Sequence, residues 1–181
     1  MNEYFDILKE NGEYTNEIAS RKECHEKGLW HKAAVVFIIS NDNKRILLQK
    51  RGANKKLWPN LWDVSAGGHV SAGELGYQAV IRETKEELGI DIEKNSLEYI
   101  GTTISNDTIG SVINRHYNEY YIVHSDVKIE DIILQTEEVQ DIKWFRVEEV
   151  LNRINNNYEG LTGKVSCWNY LVKYLEMTEI N

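Results

Sequence analysis

Apolar and polar positions alternate along this chain in short runs, interrupted by turn residues and by two longer stretches of helical spacing. Residues 33–40, AAVVFIIS, are a β-branched apolar run, which predicts a buried strand. Asn41-Asp42-Asn43 follow as a turn, and residues 45–50 read as the partner strand. Residues 3–8 and 14–19 flank Asn11-Gly12, a strong short-range signal for a tight hairpin. Residues 64–66 predict a short strand running into Gly67-Gly68, and further strands are expected at 97–105, 117–124 and 142–146. Helices are expected over 74–88, with Gly89 as the stop, and over 147–154 and 164–177. The last of these carries Trp168, Tyr170, Leu171, Tyr174 and Leu175, which must cover either the chain's own core or a second copy in a homodimer. Mixed strands with interspersed helices imply an α/β or α+β sheet sandwich. No repeat, low-complexity tract or linker divides residues 1–181, so one domain is expected, with the hairpin unit occupying about residues 1–31.

Charge narrows the partners. The formal net charge is −8, which disfavours the phosphate backbone of a nucleic acid as a partner. An anionic small molecule would need local cations. Cys24 and Cys167 are the only cysteines, too few and too far apart for a disulfide scaffold or a zinc CxxC pair, so two reduced thiols are expected. The acidic start MNEYFDILKENGEY has no apolar signal core, and the apolar run 33–39 is too short to span a bilayer. A cytoplasmic protein without membrane contact is expected.

The chemistry lies in residues 67–90, GGHVSAGELGYQAVIRETKEELGI. On a helical wheel Tyr77, Ile81, Thr84 and Leu88 share one face, with Val80 at its edge, and that face should be buried. Glu83 and Glu87 lie one turn apart on another face with Glu86 beside them, and the small residues Ala79 and Gly76 precede them, leaving open space. Like charges at this spacing cost a few tenths of a kcal/mol per pair, roughly, and the macrodipole adds a similar penalty at a helix C-terminus. Arg82 and Lys85 relieve only part of this. A divalent cation relieves it better, and hard carboxylate oxygens with no thiol or histidine pair on the helix favour magnesium or manganese.

The spacing Gly68, five residues, Glu74, seven residues, then Arg82-Glu83-Thr84-Lys85-Glu86-Glu87-Leu88-Gly89-Ile90 resembles the signature of the Nudix hydrolases. One position departs, Thr84 standing where an aliphatic residue is usual; its methyl can still pack on the core. The resemblance implies an α/β/α sandwich with a mixed sheet, in which the box at 68–90 holds metal against a diphosphate. It further implies Glu83 and Glu87 as main metal ligands, Glu86 as ligand or base, the Gly67 carbonyl completing the site, and an Arg82–Glu74 ion pair bracing the loop. The expected reaction is hydrolysis of a diphosphate linkage joining a nucleoside to another moiety, with Mg2+ or Mn2+ as cofactor.

The order HKAAVVFII, ILLQKR, LWPNLWDVSAGGHV and EEVQDIKWFRVEEV extends the resemblance toward the Nudix proteins most similar to isopentenyl-diphosphate isomerase. The isomerase reading is the alternative, beside a non-catalytic sensor of the same fold. Against it, the loop Ser65-Ala66-Gly67-Gly68-His69 has no cysteine before its histidine, where the isomerase carries a catalytic one. His25, His31 and His69 match positions that bind metal in the isomerase, and Glu119 resembles a further ligand there. The alternatives are a second metal site or histidines that hydrogen-bond the loops and substrate phosphates. His116 and His124 are expected to be ordinary strand or surface residues. Glu137 and Glu138 are candidates for an extra base, with Glu119 another. Trp58, Trp62 and Tyr117 are either core or a stacking surface, and Lys50 and Arg51 either touch phosphate or lie on the surface.

Overall fold

A computed structural model of the chain describes residues 3–178. Strands β1 (Tyr4–Leu8) and β2 (Tyr14–Ser20) form the N-terminal hairpin around Asn11-Gly12, where Gly12 has φ +87° and its N–H donates to the Lys9 carbonyl. A short helix α1 (Arg21–Lys27) follows, which the sequence did not predict. Its end signals are local: Ser20 Oγ accepts the Glu23 N–H, and Gly28 stops it in the left-handed conformation at φ 63°.

The main sheet is built on β3 (His31–Ile39). Its even residues Ala34, Val36 and Ile38 enter one core, and its odd residues Val35, Phe37 and Ile39 enter the other. Strand β4 (Arg45–Arg51) pairs antiparallel with the end of β3 at Ile38 and Ile39, and β5 (Trp62–Asp63) continues the sheet beyond it. The first half of β3 pairs instead with β6 (Ala66–His69), in the register Ala33–His69 to Val36–Ala66. The predicted strand at 64–66 is therefore two short ones either side of Val64-Ser65.

Helix α2 (Gly76–Leu88) covers the face of Ala34 and Val36, burying Ala79, Val80, Thr84 and Leu88. Strands β7 (Glu98–Ile109) and β8 (Val112–His124) form a long hairpin, and β8 runs parallel to β3 along His31–Ile39. Strand β9 (Val139–Arg146) pairs with β4 and leads into α3 (Val147–Asn155), and α4 (Val165–Thr178) closes the second face. Trp168, Leu171, Tyr174 and Leu175 of α4 are buried in the chain's own core, and Tyr170 stacks on Tyr120. The result is the expected α/β/α sandwich with a mixed sheet and an N-terminal hairpin. No helix among the described residues is long and apolar enough to cross a membrane.

One buried charge ties this frame together. Asp63 is 1% exposed and meets Lys164 Nζ at 2.7 Å, Arg51 at 3.0 Å, the Thr162 hydroxyl at 3.0 Å and the Val64 N–H at 2.9 Å. Arg51 is thus committed to the frame, and Trp62 packs edge-on against Phe145 rather than facing a ligand. Burial alone would raise the Asp63 carboxyl, but the Lys164 and Arg51 charges outweigh it and hold it below the usual range. A depressed folded-state pKa contributes stability that is present above the unfolded value and lost as pH falls through the folded one. Acid titration should therefore weaken the wild type below about pH 4, and Asp63→Asn should remove that part of the pH dependence. The same substitution should cost about 3–5 kcal/mol in denaturant unfolding at neutral pH.

Candidate functional site

The branch in β3 positions the site. Because β6 pairs with the first half of β3 while β4 takes only its end, Gly67 and Gly68 lie beneath the C-terminal half of α2. Side chains have no room there: a Cβ on Gly68 would overlap the Glu83 carboxylate, and one on Gly67 would press on Val35 and the Ala34 carbonyl. Gly76 leaves no open space either, since the Glu119 carboxylate and the Tyr121 hydroxyl occupy it. Ala79 is buried in the core. The small residues of α2 admit β8 rather than a ligand.

Helix α2 begins at Gly76, so Glu74 precedes it, accepting the Ser71 N–H and facing Arg82 through two bonds of 3.0 Å. Arg82 also donates to Glu83 at 2.8 Å, to Glu86 at 3.2 Å and to the His69 carbonyl at 3.1 Å. Lys85 turns away to Asp91. Glu86 is about half exposed and lines a shallow groove with Gly89, Ile133 and Leu134.

Glu87 is different. It is 7% exposed, and the groups that donate to it are neutral: the Gln49 amide at 3.0 Å and the Gly67 N–H at 3.2 Å. Burial and the neighbouring Glu83 charge raise its carboxyl to about 7. Burial also raises Glu83, with Arg82 opposing and Glu86 adding to the shift. Two carboxylates forced together beside glycine backbone, without a full set of cationic partners, fit a divalent cation with oxygen ligands. Gln49 is the partner that sequence reasoning missed; it lies 38 residues from Glu87 and carries no local signal.

Across the site, Lys55 forms an ion pair with Glu138. Burial and the Arg51 charge pull Lys55 below the usual lysine range while Glu87 and Glu83 pull it back, so it faces the acidic group. The Glu137–Glu138 loop is held there because the Gln135 N–H donates to the Glu87 carbonyl and the Gly52 N–H to the Glu138 carbonyl.

The histidines form a second group. His25 from α1, His31 from β3 and His69 from β6 come together, and His116 from β8 joins them. Glu119 does not: it pairs with Lys32 at 3.0 Å and accepts from Tyr121. His116 is thus a cluster residue and not an ordinary strand position, because parallel pairing sets it directly beside His31. His124 lies apart, bonded to Tyr174. Tyr117 is held by the Glu10 carbonyl and the Trp30 ring.

Comparison with known proteins accords with this geometry. Residues 29–162 match the NUDIX domain. The chain belongs to the Nudix family. It is 36% identical over 156 residues to Nudix hydrolase 3 of Arabidopsis thaliana, covering 83% of this chain but only 20% of that protein. An uncharacterised Nudix hydrolase of Clostridium acetobutylicum is 35% identical over 161 residues, 88% of this chain and 77% of that one. The isopentenyl-diphosphate isomerase 2 of Photorhabdus laumondii is 31% identical over 139 residues, 76% of this chain and 75% of that one. A Deinococcus radiodurans crystal structure shares the fold, with a TM-score of 0.71, 23% identity and coverage of 97% and 98%.

The Nudix box should respond to bulk at its glycine. In Gly68→Ala the new methyl displaces the tip of a flexible Glu83 side chain, so the melting temperature should change little. Mn2+ affinity should fall about tenfold or more, read by calorimetric titration.

Proposed function

We propose that the protein is a metal-dependent pyrophosphohydrolase acting on a nucleoside diphosphate linked to another moiety. The observation that carries this reading is the buried Glu87 carboxylate, hydrogen-bonded only to neutral groups and set beside Glu83 against the Gly67-Gly68 backbone. Glu83 and Glu87 would hold Mg2+ or Mn2+, with the Gly67 carbonyl completing the donor set. The ion, when bound, offsets the charge of the diphosphate oxygens and acidifies water.

The chain's own groups do the rest. Arg82 fixes Glu83 and Glu86 at their working positions through charge-assisted bonds and keeps the Glu74 loop closed on the helix. Glu86, the most exposed of the box acids, is the carboxylate open to a water molecule and takes its proton. The water oxygen bonds to phosphorus, the bridging P–O bond breaks, and two phosphate-bearing products leave. Lys55 supplies a cation for the substrate's phosphates once Glu138 releases it, which frees the Glu138 carboxylate as the extra base.

The isomerase alternative lacks its thiol. Cys24 and Cys167 are both buried outside the 65–69 loop, and burial, with the Glu23 charge, raises the Cys24 thiol to about 11. The sensor alternative does not need the full acidic set that this chain retains.

A screen of nucleoside triphosphates, nucleotide-sugars, dinucleotides and isopentenyl diphosphate with Mg2+ and Mn2+ should find hydrolysis of at least one nucleotide and no isomerisation. Glu87→Gln should lower kcat/KM about a thousandfold, or about 4 kcal/mol of transition-state stabilisation, with an unchanged circular dichroism spectrum. Full activity in that variant would overturn the assignment of the metal ligands.

A further inference from the structure

The four histidines are arranged in a way that the proposed hydrolysis does not use. They come from α1, β3, β6 and β8, and one ligand atom from each lies within 4.8 Å of the others. Ring centroids are 4.4 Å apart for His31 and His116, 5.2 Å for His31 and His69, and 5.1 Å for His25 and His69. The Nε2 atoms of His31, His69 and His116 are buried and have no hydrogen-bond partner. His31 is itself 0% exposed. Orphaned buried imidazole nitrogens are costly, and several converging on one point need a common partner.

The surroundings orient these nitrogens. His31 Nδ1 lies 2.7 Å from the Leu29 carbonyl, which can only accept, so the proton is on Nδ1 and the Nε2 lone pair is free. That is the second-shell bond that metal-ligating histidines make. Phe5 stacks on His31 at 5.0 Å and on His69 at 4.7 Å, closing one side of the cluster with an apolar ring. His25 is the most loosely enclosed of the group by its contacts, standing edge-on to the other three rings from the helix side.

We propose that His25, His31, His69 and His116 form a second, all-imidazole metal centre that takes a zinc-class transition ion and pins helix α1 to the sheet. The donor set departs from the one that the isomerase resemblance implied, since Glu119 is engaged with Lys32 and a fourth imidazole replaces the carboxylate. That change decides the metal. Magnesium prefers oxygen ligands and waters, whereas imidazole suits zinc, cobalt, nickel and copper. A tetrahedral zinc–nitrogen site places donors roughly 3.4 Å apart at bond lengths near 2.1 Å, so donor atoms already within 4.8 Å of one another need only draw inward to close the set. Four protein ligands fill a tetrahedral ion, leaving no position for substrate, so the role is structural. The nearby thiol does not compete, because Cys24 Sγ points to the Ala19 carbonyl.

This inference does not depend on the hydrolase reading, and its test removes the box site. Full-length protein carrying Glu83→Gln and Glu87→Gln, stripped with chelator, should take up one equivalent of Co2+ with the strong visible bands of a four-coordinate nitrogen site. Zn2+ should displace it, and excess Mg2+ should not. Zn2+ should also raise the melting temperature and slow amide exchange in α1. His116→Asn in the same background should lose about a hundredfold or more in Co2+ affinity; should that variant fail to fold, His25→Asn, on the less enclosed helix, gives the same readout. No Co2+ uptake by the parent, or uptake unchanged by loss of a histidine, would overturn the proposal.

Discussion

The guanidinium of Arg82 is the group on which the site's order depends. It joins Glu74 before the helix, Glu83 and Glu86 on it, and the His69 carbonyl at the end of β6. These charge-assisted bonds are not equal: the bonds to Glu74 and Glu83 are shielded, whereas the one to Glu86, about half exposed, is screened by solvent. The guanidinium's effect on charge is uneven too. Arg82 compensates the outward side of the acidic cluster and leaves Glu87, on the inward side, with neutral partners. A fully neutralised helix end would have nothing to offer a cation. A fully uncompensated one would oppose the C-terminal macrodipole of α2 with three carboxylates.

The second constraint is the divided pairing of β3. Its final residues are satisfied by β4 and its earlier ones by β6, so the sheet opens where α2 crosses it. Backbone from β6 can then approach the helix only because residues 67 and 68 lack side chains. Asp63 secures the other edge of the opening, holding Arg51, Lys164 and Thr162 around one buried carboxylate. The cations and glutamates that remain near the box, Lys55 and Glu138, stand on loops fixed by that frame.

What was legible in the sequence follows from the range of each signal. The box is local: its glycine, acid and arginine spacings encode a turn, a cap and a helix face, and the structure places Glu74, Arg82, Glu83, Glu86 and Glu87 together. The burial of β3 was legible because an unbroken β-branched apolar run has no solvent-facing side to spare. Helix α1 was not, since seven residues hold too few turns to show a period. Gln49, Asp63 and His116 were not legible as site or frame residues, because their partners lie across the sheet. The Glu119 assignment failed for the same reason. It and His116 sit on one strand, and only the register against His31 decides which of them meets the cluster.

Strand β6 links the two donor sets mechanically. Gly67 gives its N–H to Glu87, Gly68 packs under Glu83, the His69 carbonyl accepts from Arg82, and the His69 ring enters the imidazole cluster. These contacts fall on consecutive residues, so one short strand positions both the histidine ring and the glycine backbone against which the carboxylates pack. Hard oxygen donors suit a labile ion that shares its coordination with substrate, whereas a closed nitrogen set holds an ion in place. An exchangeable centre needs a rigid support beside it, and the histidine cluster adjoins the box at the one strand where rigidity bears on both.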